Sequence, residues 1–441
     1  MKTTIRSRVA GSLLAVLALA GCDILDVENP NNLVEESIRN QAAASAVVNG
    51  SEALVYSAIS NVWQVYLLPT DDLVFIGSRD GWLELELGNL SNPNNEFIDA
   101  AFPAVAEARW MADEAVEIID EHIAEGNDIG DADLLRARAN LYAGLIYMII
   151  GETMEDFAFS DKTESGPPVG PTNMQGVFDD AVGYLNTAVT AAQAADNEAV
   201  ELQALMIRAR AQHSRAVWGK IKPSISGNPL VNDAGASADA MAALALLASN
   251  SALTPTYSAV YDGATIGNSM ASWINDRKEN NIDSTLVVIA GNAAPDGIQV
   301  VLMDPIDDVE DPVVDSRVRA FRSDGLLYPN LDLATAAMMN LILAEAALEA
   351  EDSDDFAMYI NATRGGLTDF SGQIAEQDML IHARRVNLLL MGTRLHDMYR
   401  FGITDSHWLG TSVAITAPGT LFPISIMEIR ANCYLNGTCS G

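Results

Sequence analysis

Residues able to do chemistry are few and scattered along this chain of 441 residues. It contains no Gly-x-Ser-x-Gly elbow, no phosphate-loop pattern, no His-Glu-x-x-His and no dinucleotide glycine fingerprint. The five His are spread out. His213 sits on an apolar helical stripe and reads as a satisfied core histidine. His396 adjoins Asp397 in a helical stretch, where consecutive residues do not face each other. Asp304, Asp307, Asp308, Glu310, Asp311 and Asp315 form an acidic cluster. Hard cations want several carboxylates, but the twelve-residue calcium-loop spacing with its central Gly does not fit. The cluster is therefore expected to be a solvated loop, with a calcium site as the alternative. Sixty acidic residues permit many carboxylate pairs in space, yet nothing singles out a pair for glycoside hydrolysis. On the residues alone no cofactor is expected, and a lipid-anchored glycoside hydrolase stays open as an alternative.

Flat, exposed aromatic side chains offer a different chemistry, since they stack on sugars and other planar ligands. Aromatics make up only 6% of the chain, so each one counts. Trp63 and Tyr66, three apart, share a helical face and read as core, as does Trp110 within its helical run. Trp82 follows the turn-like Ser78-Arg79-Asp80-Gly81, and Trp273 follows Gly267-Asn268-Ser269. These two are the candidate ligand-binding platforms, set against simple packing as the alternative.

The three Cys fall into two groups. Cys433 and Cys439 close the chain, six positions apart, and can oxidise to a disulfide outside the inner membrane. So small a loop would gain about 2 kcal/mol on the chain-entropy model. A two-thiolate metal site is the competing reading, but no nearby His or further Cys completes four ligands. Cys22 ends a different pattern. Lys2, Arg6 and Arg8 precede an apolar run from Val9 to Ala20, too short to span a bilayer as a mature helix. Leu19-Ala20-Gly21-Cys22 completes a lipobox, so residues 1–21 read as a lipoprotein signal peptide and Cys22 as the lipidated residue. An ordinary secretory peptide with an incidental Cys is the alternative. Two or more lipid chains anchor stably without protein insertion, each buried methylene adding about 0.8 kcal/mol.

The elements that position these residues are mainly helical. Leu135, Ala139, Tyr142, Ile146 and Ile149 step by helical spacing, as do Phe178 through Ala192, Leu202 through Ala216, and Ala334 through Leu348. Asp196-Asn197 breaks the second stripe from the third, which predicts an antiparallel helical hairpin. The many Ala on these stripes permit close approach, the physics of stacked tetratricopeptide-like hairpins, although the 34-residue consensus is absent. Loop-rich insertions occupy 165–171 and 223–235. Thr285–Ala290 and Ile298–Met303 predict a small β-hairpin. The expected fold is all-α: TPR-like hairpins with long loop insertions and a minor β-hairpin. Residues 22–36 form an extended tether, and 37–441 one helical domain. The net charge of −35 repels phosphate backbones, so nucleic acid is excluded as a partner.

Taken in order, several segments resemble the SusD/RagB family of surface nutrient-binding lipoproteins. Leu25-Asp26-Val27-Glu28-Asn29-Pro30-Asn31 looks like its tether. Leu135 to Tyr142, continuing to Gly151-Glu152, is similar to its Arg-Ala-Tyr-rich helix. Asp315-Ser316-Arg317-Val318 looks like its Asp-Pro-Arg-Val element, with Ser316 departing from Pro. Leu341 to Ala346 resembles Leu-x-x-Ala-Glu-Ala, and Ile360 to Arg364 resembles Ile-Asn-x-x-Arg. Arg384-Arg385-Val386-Asn387-Leu388, with Gly392 to Gly402, is the strongest match, although Asn387 and Met391 replace two expected acids. Leu421-Phe422-Pro423-Ile424 through Asn432 is similar to the terminal motif. The resemblance implies a structural role for Arg385, Arg394, Asp397 and Arg400. It also implies a lid-like partnership with a SusC-like TonB-dependent outer-membrane barrel, and capture of an oligosaccharide or peptide rather than chemistry on it, so that the protein is expected not to be an enzyme. Asp23 resembles an inner-membrane retention signal of some enteric bacteria, but the family resemblance favours the outer surface.

Overall fold

The computed structural model describes residues 35–161, 164–290 and 295–439. The signal peptide, Cys22 and the tether up to residue 34 lie outside the described residues.

Thirteen helices carry the architecture described below: α1 (Ala44–Tyr66), α2 (Asp80–Glu86), α3 (Glu96–Glu125), α4 (Ala132–Thr153), α5 (Gln175–Ala194), α6 (Glu198–Ile221), α7 (Ala234–Ser249), α8 (Pro312–Phe321), α9 (Ala336–Glu349), α10 (Ser353–Asn361), α11 (Glu376–Asn387), α12 (Arg394–Phe401) and α13 (Ile426–Ala431). Side-chain caps fix where many of them begin. Asn95, Asp131, Asn197, Asp233, Asp311 and Thr335 each accept a bond from a first-turn N–H and satisfy one of the orphan donors there. The α5–α6 hairpin turns at Asp196-Asn197, with Asp196 in the left-handed region at φ 50° and Asn197 capping α6. Consecutive helices from α3 to α7 pack against one another, and α1 packs on α3 and α4. The predicted stripes lie inside: Leu135, Ala139, Tyr142, Ile146 and Ile149 are all buried. At Gly144 of α4, a Cβ would sit 2.5 Å from Cγ of Leu185 and 3.0 Å from the Ala181 carbonyl of α5, so only Gly allows this approach.

Three two-stranded antiparallel ladders interrupt the helices, where the sequence predicts one hairpin. Val287–Ile289 (β4) and Ile298–Val300 (β5) form that local hairpin. Leu73–Phe75 (β1) pairs with Asn280–Ile282 (β3), and Thr256–Ala259 (β2) with Leu331–Thr335 (β6), both across long stretches of chain. Ala334, the first position of the last helical stripe, belongs to β6 rather than to α9. Cys433 and Cys439 are bonded to each other, with Cα atoms 4.7 Å apart. Among the described residues no helix is long and apolar enough to cross a membrane.

Candidate functional site

Two regions far apart in sequence meet because β1 pairs with β3. β1 leads into α2, which carries Trp82. β3 follows the helical turns Ser269–Ala271 and Ser272–Asp276, which carry Trp273. Glu279, just before β3, clamps the approach to α2. Its carboxylate accepts from the Ser78 and Arg79 N–H groups at 2.8 and 3.2 Å and from the Ser78 hydroxyl at 3.1 Å. Asn95 then ties α2 to α3, donating to the Gly81 carbonyl and the Glu84 carboxylate.

Trp82 is a correction. It is wholly buried and cannot serve as an exposed platform. Its ring stacks on Phe97 with centroids 3.5 Å apart, and its edge-on contact with Trp273 spans 5.3 Å. The turn-like residues before it misled the sequence reading: Asp80 opens a short helix whose inner face takes the indole. Trp273 is partly buried and packs edge-on against Phe97 at 5.4 Å. The Arg277 guanidinium lies over its ring at 4.5 Å, a cation–π contact.

Trp273 also lines a cleft of ≈ 420 Å³. Tyr328, 42% exposed, lines it too, with Asn61, Asn268, Asp276 and Arg277 supplying polar groups. Asn268 is braced on both sides: it accepts from the Ala271 N–H and donates to the Pro329 carbonyl. Ser269 is held on α1, its N–H donating to Ser60 and its hydroxyl to Gln64. The cleft thus joins two aromatic side chains, one of them under the Arg277 guanidinium, to planar amide and carboxylate groups on a braced frame. That combination recognises a ligand with apolar C–H faces and a hydroxyl or amide rim. Tyr328 is missed in sequence: Asp324-Gly325 and Pro329 mark its segment as a loop, but nothing in the chain order places that loop beside Trp273. A second cleft, ≈ 390 Å³, lies between β6 and α8 beside Arg317 and Asp332. There the one aromatic, Phe321, is buried and Arg317 already pairs with Asp332 at 3.3 Å, so it presents less to a ligand.

The charged motif residues lie elsewhere, in buried and half-buried ion pairs. Arg394 grips Asp71 with two bonds of 2.5 and 2.8 Å, and Arg385 reaches the same carboxylate at 3.0 Å. Arg384 and Arg400 both bond Asp397 at 2.8 Å. Arg400 also pairs with Glu345 of α9, as do Arg384 and His213. Burial pushes the Glu345 carboxyl up, but Arg400, His213 and Arg384 outweigh it and hold the group well below the usual range. These contacts knit α6, α9, α11 and α12 together. His213 is the satisfied core histidine its stripe predicts, 3.0 Å from Glu345. Gly392 has φ 74°, and a Cβ there would lie 2.5 Å from Nε1 of Trp63, so the motif Gly is required twice over.

The acidic cluster is a further correction. Asp308 and Glu310 are exposed, but Asp304 and Asp311 are buried and bonded rather than solvated.

No sequence-family model and no curated protein sequence matches the chain. Solved structures do. A SusD superfamily protein from Bacteroides thetaiotaomicron superposes with TM-score 0.61 at 13% identity, covering 90% of this chain and 98% of that one. A SusD-like carbohydrate binding protein from Bacteroides vulgatus gives 0.58 at 13%, covering 91% and 98%. Surface glycan-binding protein A from Bacteroides uniformis gives 0.55 at 12%, covering 88% and 100%. The chain has the SusD-superfamily fold, and the resemblance read from its motifs holds at the level of that fold.

Proposed function

We propose that this SusD-fold chain is a surface nutrient-binding lipoprotein that captures a short oligosaccharide, or a peptide of similar size, without transforming it. The observation that carries the reading is the cleft where Trp273 and Tyr328 face polar groups braced by α1 and the 268–277 segment. Glycan-binding and carbohydrate-binding neighbours with the same fold support it. Two aromatic side chains in the lining suit a ligand of a few units rather than a long stacked chain. Of the residues lining the cleft, Asp276 alone carries a carboxylate, whereas glycoside hydrolysis uses two, spaced about 5–10 Å apart. Capture would precede hand-over to a SusC-like TonB-dependent barrel in the outer membrane, with lipid on Cys22 holding the protein at the outer face of the cell.

A glycan and peptide array followed by chromatography of the bound fraction tests this. Recovery of an intact ligand is expected. Released sugar or cleaved peptide from purified protein would overturn the non-catalytic reading. Co-purification of a barrel with the tagged protein from mildly solubilised outer membranes tests the partnership.

A further inference from the structure

Away from the cleft, two carboxylates and one imidazole drawn from separate segments converge on one point. We propose that Asp304, Asp311 and His382 form a binding site for a single divalent transition-metal ion of the zinc class. This proposal is independent of the ligand cleft.

Their ligand atoms all lie within 4.8 Å of one another. Asp304 and Asp311 each keep only 1% of their surface exposed. Each has committed one oxygen to local structure. Asp304 Oδ1 accepts from the Ile306 and Asp307 N–H groups and from Arg364 at 3.0 Å. Asp311 Oδ1 caps α8 through the Val313 and Val314 N–H groups. Both Oδ2 atoms therefore face inward on carboxylates that cannot rotate away. His382 Nε2 of α11 lies 3.0 Å from Asp311 Oδ2 and 4.0 Å from Asp304 Oδ2.

Two further observations point to a ligand. Asp304 Oδ2 is buried with no hydrogen-bond partner, which is costly for a carboxylate oxygen. Beside these residues lies a cavity of ≈ 10 Å³, about one water-sized sphere. The donor set selects among ions. Calcium wants six to eight oxygens, roughly, and magnesium keeps its waters, so neither suits two carboxylate oxygens and an imidazole. Zinc and its neighbours bind mixed carboxylate and imidazole sets, with four ligands in the usual zinc geometry. The His382 side chain is 13% exposed, which leaves room for water to complete the shell. Arg364 sits on the far oxygen of Asp304, where it fixes the carboxylate while offsetting one of its two negative neighbours. An ion here would pin the 304–311 loop and the start of α8 to α11.

The test uses the full-length chain stripped with EDTA and titrated calorimetrically with zinc chloride. One tight equivalent per chain is expected, with calcium chloride failing to compete. His382→Gln keeps a donor toward Asp311 but removes the imidazole ligand. Asp304→Asn keeps the turn acceptor but removes the free oxygen. Each should weaken zinc by at least about tenfold, the lower end of what losing even an outer-shell partner costs. His407→Gln, at the separate His407–Asp405 pair, should change nothing. Absence of stoichiometric zinc binding, binding that survives both of the first two substitutions, or loss on His407→Gln instead, would overturn the proposal. Should either site variant fail to fold, anomalous diffraction at the zinc edge from wild-type crystals decides. A peak between Asp304, Asp311 and His382 supports the site, and a peak elsewhere refutes it.

Discussion

Asp72 shows what a single residue contributes. It lies against Asp71 and under the Arg394 and Arg385 pairs, fully buried, with Oδ2 accepting from the Leu390 N–H at 3.1 Å and Oδ1 unpartnered. Burial first, and the Asp71 charge second, push its carboxyl up to about 7 against the pull of Arg394. A group whose pKa rises on folding stabilises most at low pH, and that contribution fades as pH climbs through the folded value. Asp72→Asn mimics the protonated form at every pH. Its stability relative to wild type should therefore grow between about pH 4 and pH 7, at up to about 1.4 kcal/mol per unit, and level off above. His396 runs the opposite way: burial lowers it to about 4, so its contribution favours the folded state as pH rises toward 6.5. Comparing Asp72→Asn with wild type by urea denaturation across pH cancels that shared slope. A difference that stays flat from pH 4 to 8 would show that Asp72 does not carry the proton. Neither residue announces this role in sequence, because burial is a property of the packed whole. Trp82 is the same lesson with opposite sign: the Ser-Arg-Asp-Gly stretch before it reads as a loop, yet Glu279, some two hundred positions away, pins it as a helix start.

Elements defined by local signals were the legible ones. The α5–α6 hairpin follows from two apolar stripes and an Asp-Asn break, and the β4–β5 hairpin from two short apolar runs. The β1–β3 and β2–β6 ladders were hidden, since Leu73 faces Ile282 and Thr256 faces Thr335, and no periodicity encodes such partners. The cleft depends on the first of these ladders, so the residues that fold beside Trp273 could not be read from its own segment. Likewise His382 joins the acidic loop only through packing of α11 on α8. Helix spacing offers its own test at Gly144. Replacing Gly by Ala in a helix interior gains about 1 kcal/mol of propensity. Here the new methyl would press on Leu185 and on the Ala181 carbonyl, and overpacking of this kind costs roughly 1–3 kcal/mol. Gly144→Ala is expected to lower the urea midpoint, because a backbone oxygen cannot move aside as a side-chain tip can. A raised midpoint would mean that α4 and α5 are less tightly apposed than described.

At the scale of the whole molecule, an acidic helical body carries its cleft on α1, the 267–277 segment and the loop at Tyr328, while buried ion pairs lock helices together elsewhere. The proposed lipid at Cys22 would tether the protein to the membrane; among the described residues no helix is long and apolar enough to span one. Cys22→Ala should move the protein from the detergent phase to the aqueous phase in a phase-partition assay, and retention in the detergent phase would contradict the anchor. The central claim is that the Trp273–Tyr328 cleft captures a ligand. Its most direct test is calorimetric titration of an array-identified oligosaccharide or peptide into wild type, Trp273→Ala and Tyr328→Ala, with folding checked by circular dichroism. Each substitution is predicted to weaken binding by at least about tenfold, or 1.4 kcal/mol, while the protein stays folded. Unchanged affinity in both folded variants would contradict the account and place the ligand elsewhere.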